Sequence, residues 1–253
     1  MWVLVNKAER VVIFFYEDGS RGREVLTNFL GDAELKALMS DGYNAYVFIG
    51  DELKTHRYKD TDHQVCLSHV RAKFVKARME GGDKRADVFL DNINRLFRFE
   101  REYDREMITD GERTRRRQGL PTMEVMINLR ANLLQELKSE EEQKSCYMRE
   151  ALNYLHKFWN EAFTYIKDGR YPISNNLAER AVRPFTTKRK NSLHFGSDEG
   201  AEIAAVYHSI ISTVKLQGRS AWDYLGKFFT GIFNGCRDFL SLTPQNIDLA
   251  VCQ

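Results

Sequence analysis

The sequence predicts an α/β fold in which a small sheet is split by a large all-helical insertion. Three observations lead there. Short β-branched and aromatic runs crowd residues 2–67, long helical patterns with no strand candidate fill residues 83–167, and a further set of helical patterns follows.

The first element is a hairpin: Trp2 to Val5 and Val11 to Tyr16 are apolar runs of strand length joined by the polar stretch NKAER. Arg23 to Leu30 has the spacing of an amphipathic helix. LKALMSDGYNAY reads as a short buried strand running into a turn at Asp41-Gly42, which puts Asp41 at a strand's end. Another strand, around Gln64 to Leu67, is expected to pass into a basic helix that stops before Gly81-Gly82.

Within the insertion, Phe89, Ile93, Leu96, Phe97 and Tyr103 recur at helical spacing, as do Met126, Leu129, Leu133 and Leu137, and then Ala151, Leu155, Phe158, Ala162 and Ile166. These stripes are read as core-facing. TRRRQGLP, from Thr114 to Pro121, is expected to interrupt them as a basic turn, either a solvated loop or a phosphate contact. Past Asp168-Gly169, PISNNLAERAVRPF (Pro172 to Phe185) starts a helix in which Asn176 and Glu179 have the spacing of a capping box. Pro184 lacks an amide donor, so that helix should end or kink near Arg183. Ser197 opens a helix with Ile203, Val206, Ile210 and Val214 on one face, and a last helix runs from Ser220 to about Phe233. The expected segments are 1–80 and 171–234 as two parts of one core, 81–170 as the insertion, and 235–253 as a tail.

A hydrophobic share of 43% in 253 residues is enough to bury a core. Charged residues nearly cancel, to a formal net charge of +2, so any nucleic-acid surface must come from local clustering. No apolar run approaches the ~20 residues of a membrane helix. MWVLVNKAER lacks the layout of a signal peptide, so a cytoplasmic location without membrane contact is expected. Cys66, Cys146, Cys236 and Cys252 show no paired motif and fit reduced thiols, and Cys66-x-x-His69 is half of a zinc pattern without its other half.

Four stretches in order, SDGYNAY, VCLSHVRAKF, DGRYPISNNLAERAVRPF and RKNSLHFGSDEGAEIAAVYHSIISTVKLQG, resemble the central domain of bacterial transposases of the insertion sequence 66 family. The resemblance extends from near Met1 to about Phe233, and the family resembles the wider ribonuclease-H-like, Asp-Asp-Glu class. It implies a ribonuclease-H-like mixed sheet bearing a metal-dependent DNA strand transferase, in which three acidic residues hold two Mg²⁺ ions. By matching motif, Asp41 in DGY would be the second acidic residue and Glu179 in NNLAER the third, both catalytic and metal-ligating. Such a site needs hard oxygen donors. Two cations about 3.5–4 Å apart can activate an attacking hydroxyl and stabilise the departing oxygen. Glu179 can serve as a helix cap, a ligand or both. Arg180, Arg183, Lys188, Arg189 and Lys190 would neutralise DNA phosphates without reading bases, or else form a solvated basic face.

The sequence also departs from the family. The family's first catalytic Asp lies in an Asp-Glu-Thr motif upstream of the Trp that Trp2 matches, and neither Glu9, Glu17 nor Asp18 fits that motif. In ribonuclease-H-like sheets the first strand lies between the second and fourth, so its loss would leave two strand edges to be covered or paired. The expectation is an N-terminally truncated transposase, holding Mg²⁺ weakly and inactive alone. Its partners would be DNA, at element ends and target, and intact transposase or accessory proteins of the element, with oligomerisation open. Alternative readings are a non-catalytic DNA-binding or regulatory remnant, and a structural helical protein.

Overall fold

The computed structural model describes residues 1–17, 22–50, 57–139, 144–192 and 195–248, with the side chains of Asn44 and of residues 188–192 outside the description. It is a mixed α/β structure, mostly helical. The chain divides into two compact units, residues 1–21 with 176–253, and residues 22–175. Among the described residues no helix is long and apolar enough to cross a membrane.

In the first unit, β1 (Trp2–Asn6) and β2 (Val11–Phe15) form the expected antiparallel hairpin, with Trp2 opposite Phe15 and Asn6 opposite Val11. Val12 and Phe14 turn into a small core with Phe185 and Ala205. The hairpin's second strand has its outer edge closed by a helix. Thr213 Oγ1 accepts from Val12 N at 3.0 Å and donates to Val12 O at 3.0 Å, while Ser209 Oγ accepts from Phe14 N at 2.8 Å. Two hydroxyls one helical turn apart thus satisfy strand groups that a neighbouring strand would otherwise have to meet.

Those hydroxyls belong to α9 (Asp198–Leu216), whose start is fixed as the sequence indicates, by Ser197 accepting from Gly200 N at 3.0 Å. α10 (Ala221–Phe233) is capped in the same way by Ser220 and packs Tyr224 against Val214, Leu242 and Ile247. The helix before them, α8 (Asn176–Ser192), does not stop near Arg183 but runs through Pro184. Proline removes one helical hydrogen bond. Next to it, however, Phe185 is buried at 6% exposure and stacks on Phe14 at 5.8 Å and Phe195 at 5.5 Å, packing that favours continuation.

The second unit begins with α1 (Arg23–Leu30), at the expected limits. β3 (Ala37–Ser40) and β4 (Asp62–Val65) pair in parallel, Ala37 opposite Asp62 and Ser40 opposite Val65. The described strands therefore form two separate two-stranded ladders, one in each unit. β4 starts two residues earlier than the apolar run suggests. The cause is Asp62, a poor strand residue by propensity. Its carboxylate is held by Lys167 Nζ at 2.6 Å and Tyr171 Oη at 2.9 Å.

Helices α2 (Leu67–Met79), α3 (Ala86–Glu106), α5 (Leu120–Lys138), α6 (Cys146–Lys157) and α7 (Trp159–Phe163) build the main core from the predicted stripes, including Phe89, Ile93, Leu129, Leu133 and Leu155. Phe74 of α2 stacks on Phe89 of α3 at 4.5 Å. The basic stretch after Thr114 is not a turn. It is the end of α4 (Asp110–Arg117), and its arginines are spent on carboxylates within the fold. Arg117, 1% exposed, donates through Nε and Nη2 to Glu100 at 2.8 and 2.6 Å, and through Nη1 to the carbonyls of Tyr165, Asp168 and Tyr171 at 2.7, 2.8 and 3.0 Å. Arg113 reaches the same Glu100 at 2.8 Å, Arg115 pairs with Glu112, and Arg116 pairs with Glu106 at 2.6 Å. A phosphate contact by Arg117 is excluded by burial.

Candidate functional site

Asp41 follows the last residue of β3 and its side chain is exposed. Its carboxylate folds back on the turn, Oδ1 accepting from Tyr43 N at 3.0 Å, which is the local bond that makes Asp a turn former. Gly42 has φ of +78°, a left-handed conformation that favours glycine. A Cβ there would lie 2.5 Å from Tyr154 Oη and 3.2 Å from Phe158.

Three side chains surround this turn. Ser40 Oγ accepts from Gly42 N at 3.2 Å and lies 3.0 Å from His63 Nε2 on β4. Tyr154, on α6, donates its hydroxyl to the Asp41 carbonyl at 2.7 Å. Burial pushes the His63 imidazole down to about 4 and raises the Tyr154 phenol well above its ordinary value, so both groups are uncharged near neutral pH. None of the three was marked in the sequence as part of the site. Ser40 opens the SDGYNAY stretch but was given no role there, His63 carried no motif, and Tyr154 lies in the helical block read as core, 113 residues from Asp41.

Cys66 is fully buried where β4 passes into α2. Its Sγ accepts from Asn175 N at 3.3 Å, and burial raises the thiol. This is the packed thiol that the half-pattern with His69 left open, and the described cysteines Cys66, Cys146 and Cys236 are all free.

Glu179 lies in the first turn of α8 and is exposed. Since the helix begins at Asn176, the cap position is Asn175, whose Oδ1 is buried with no hydrogen-bond partner among the described residues. Arg180 and Arg183 are also exposed on α8, and Arg183 follows Glu179 by four residues, the spacing of neighbours on one helix face. The side chains of Lys188, Arg189 and Lys190 lie outside the described residues. Asp41 belongs to the 22–175 unit, whereas Glu179, Arg180 and Arg183 belong to the other.

Carboxylate oxygen is the correct donor for Mg²⁺. The number of donors falls short, because no three His, Cys, Asp or Glu side chains come together among the described residues. Neither unit's described residues build a complete two-cation centre.

Comparison with known proteins gives these features a context. The model of the Transposase IS66 family matches residues 1–203, a span that includes both Asp41 and Glu179. The chain is 28% identical over 235 residues to uncharacterized protein y4jD of Sinorhizobium fredii (strain NBRC 101917 / NGR234), covering 90% of this chain and 43% of the relative. It is 26% identical over 239 residues to uncharacterized protein y4qI of the same organism, covering 93% of this chain and 43% of the relative. The chain thus spans less than half the length of these curated relatives. No solved structure matches it. With most of its length matched by one family model, the chain belongs to the IS66 transposase family.

Proposed function

We propose that this chain supplies part of a DNA strand-transfer centre, with Asp41 and Glu179 as acidic ligands for divalent cations and Arg180 and Arg183 as contacts to DNA phosphates. The observation that carries the reading is the family match over residues 1–203, which takes in both carboxylates in their motifs. Asp41 supports it physically: an exposed carboxylate just beyond a parallel strand, on a turn held by side chains from two other elements. The fold we assign is the ribonuclease-H-like core, with residues 1–80 and 171–234 as its parts and 81–170 as the insertion.

Cations bound here would polarise the phosphodiester under attack. The residues' own tasks are to present carboxylate oxygens in a fixed direction and to offset phosphate charge. Two carboxylates hold two cations weakly, so residues 1–253 alone should neither cut nor join DNA. Lys188, Arg189 and Lys190 would extend the phosphate contacts, and an intact transposase is the natural partner. The test is Mn²⁺ binding and DNA binding measured in parallel on Asp41→Ala and Glu179→Ala. Lost metal affinity with retained DNA binding is expected. Unchanged metal behaviour in both variants would reject the ligand roles. In that event, salt-sensitive DNA binding would favour the second reading, a non-catalytic DNA-binding or regulatory remnant, for which the exposed Arg180 and Arg183 are the supporting observation.

A further inference from the structure

The peptide plane joining Asp41 to Gly42 is clamped at both of its polar ends. Its carbonyl oxygen, from Asp41, accepts from Tyr154 Oη at 2.7 Å. Its N–H, from Gly42, donates to Ser40 Oγ at 3.2 Å, and Ser40 is braced in turn by His63 Nε2 at 3.0 Å. The Asp41 side chain is tied to the same turn by the bond from Tyr43 N to Oδ1 at 3.0 Å. Rotation of this plane would therefore carry the carboxylate with it.

Tyr154 is itself fixed. Its ring packs on Phe158 with centroids 4.9 Å apart, and Lys73 Nζ lies 4.8 Å from its centre. Lys73 is held in place by Glu150 at 2.6 Å. The fit between turn and ring is close enough that only glycine can occupy position 42, since a Cβ there would sit 2.5 Å from Tyr154 Oη.

We propose that Tyr154 is a positioning residue: through its hydroxyl, α6 of the helical insertion sets the direction in which the Asp41 carboxylate points. The insertion then acts as an arm of the acidic site and not only as a spacer between its parts. Ser40, with His63 behind it, is the second clamp. The consequence for metal binding rests on the reading of Asp41 as a ligand, whereas the clamp itself does not.

Two readouts on the full 253-residue chain separate these. Amide exchange at Gly42 and Tyr43 reports the turn, and Mn²⁺ affinity reports the carboxylate. Tyr154→Phe keeps the ring and removes only the hydroxyl, so the main core should stay folded, with exchange in α3 unchanged. Exchange at Gly42 and Tyr43 should quicken about fivefold, the factor that corresponds to the net value of one hydrogen bond. Mn²⁺ affinity should fall with it. Ser40→Ala should act in the same direction, and the double variant should lose less than the two single effects combined, since each clamp works only while the other holds. Unchanged exchange at Gly42 and Tyr43 in Tyr154→Phe overturns the proposal. Asp41→Asn provides the separation. If it leaves Mn²⁺ binding intact while Tyr154→Phe still loosens the turn, the ligand role fails and the clamp stands. If Asp41→Asn abolishes Mn²⁺ binding while Tyr154→Phe alters neither readout, the clamp fails and the ligand role stands.

Discussion

His63 shows how much a single buried side chain can couple the site to solution conditions. It is 8% exposed, and burial holds its imidazole at about 4, below the ordinary 6.5. A lowered value means that the unfolded chain takes up this proton first as pH falls. The stabilisation is therefore fully present above about pH 6.5 and is lost on acidification towards about pH 4, up to about 3 kcal/mol for a shift of this size. Urea midpoints measured across that window should drop as pH is lowered. In His63→Gln, which cannot titrate there and can still hydrogen-bond to Ser40, that part of the slope should flatten. Identical slopes in the two proteins would show that His63 is not the source. The clamp on Asp41 itself should hold through that window and loosen only as pH falls to about 4, where the folded imidazole takes up its proton. Gly42 is the other residue on which the turn depends, through its positive φ and its closeness to Tyr154.

At the scale of elements, α4 is where charge became structure. A run of arginines reads as a solvated patch because its partners are far along the chain, yet Glu100 lies on α3 and the carbonyls of Tyr165, Asp168 and Tyr171 lie in the segment after α7. Truncating Arg117 leaves the buried Glu100 carboxylate with Arg113 and takes the shared donor from three carbonyls, so Arg117→Ala should destabilise the chain by about 3 kcal/mol. Arg115→Ala, whose partner Glu112 is local and whose side chain is 79% exposed, should change stability by less than about 1 kcal/mol. Urea denaturation of the two variants side by side measures the contrast, and comparable losses would remove Arg117 from its central place. The sequence was readable where the signal is local. Ser197 and Ser220 announced α9 and α10, the apolar stripes announced α3, α5 and α6, and Asp41-Gly42 announced the turn. It was unreadable where a distant partner overrides a local preference. Pro184 stays inside α8 because Phe185 packs on Phe14, Asp62 joins β4 because Lys167 and Tyr171 hold it, and Tyr154 meets Asp41 across 113 residues. The same limit hid the surroundings of the Asp41 turn, for Asp41 and Glu179 came from motif resemblance while His63 and Tyr154 carry no motif and Ser40, inside SDGYNAY, was given no role.

For the molecule as a whole, a formal net charge of +2 sets no strong field, so the proposed attraction to DNA would have to arise from a local group of cations. Arg180 and Arg183 are exposed on α8 beside Glu179, while the arginines of α4 are committed to carboxylates. Under the proposed function, that difference in engagement, more than the number of basic residues, would decide which cations release counterions from DNA. If Arg180 and Arg183 each neutralise one phosphate, then Arg180→Ala and Arg183→Ala should each lower the slope of log affinity against log salt concentration by about 1, uniformly across DNA sequences. Arg116→Ala, which removes a cation already paired to Glu106 and Glu112, should leave the slope unchanged. Glu179→Gln sharpens the test, because the residue's two possible roles predict different results. Without divalent cations, removing a carboxylate next to the two arginines should strengthen DNA binding. With Mn²⁺ present the gain should vanish or reverse, because a ligand has been lost along with the charge. A gain of the same size in both conditions would mean that Glu179 repels phosphate but holds no metal, and the assignment of α8 to an acidic centre would fail while its role in DNA contact remained.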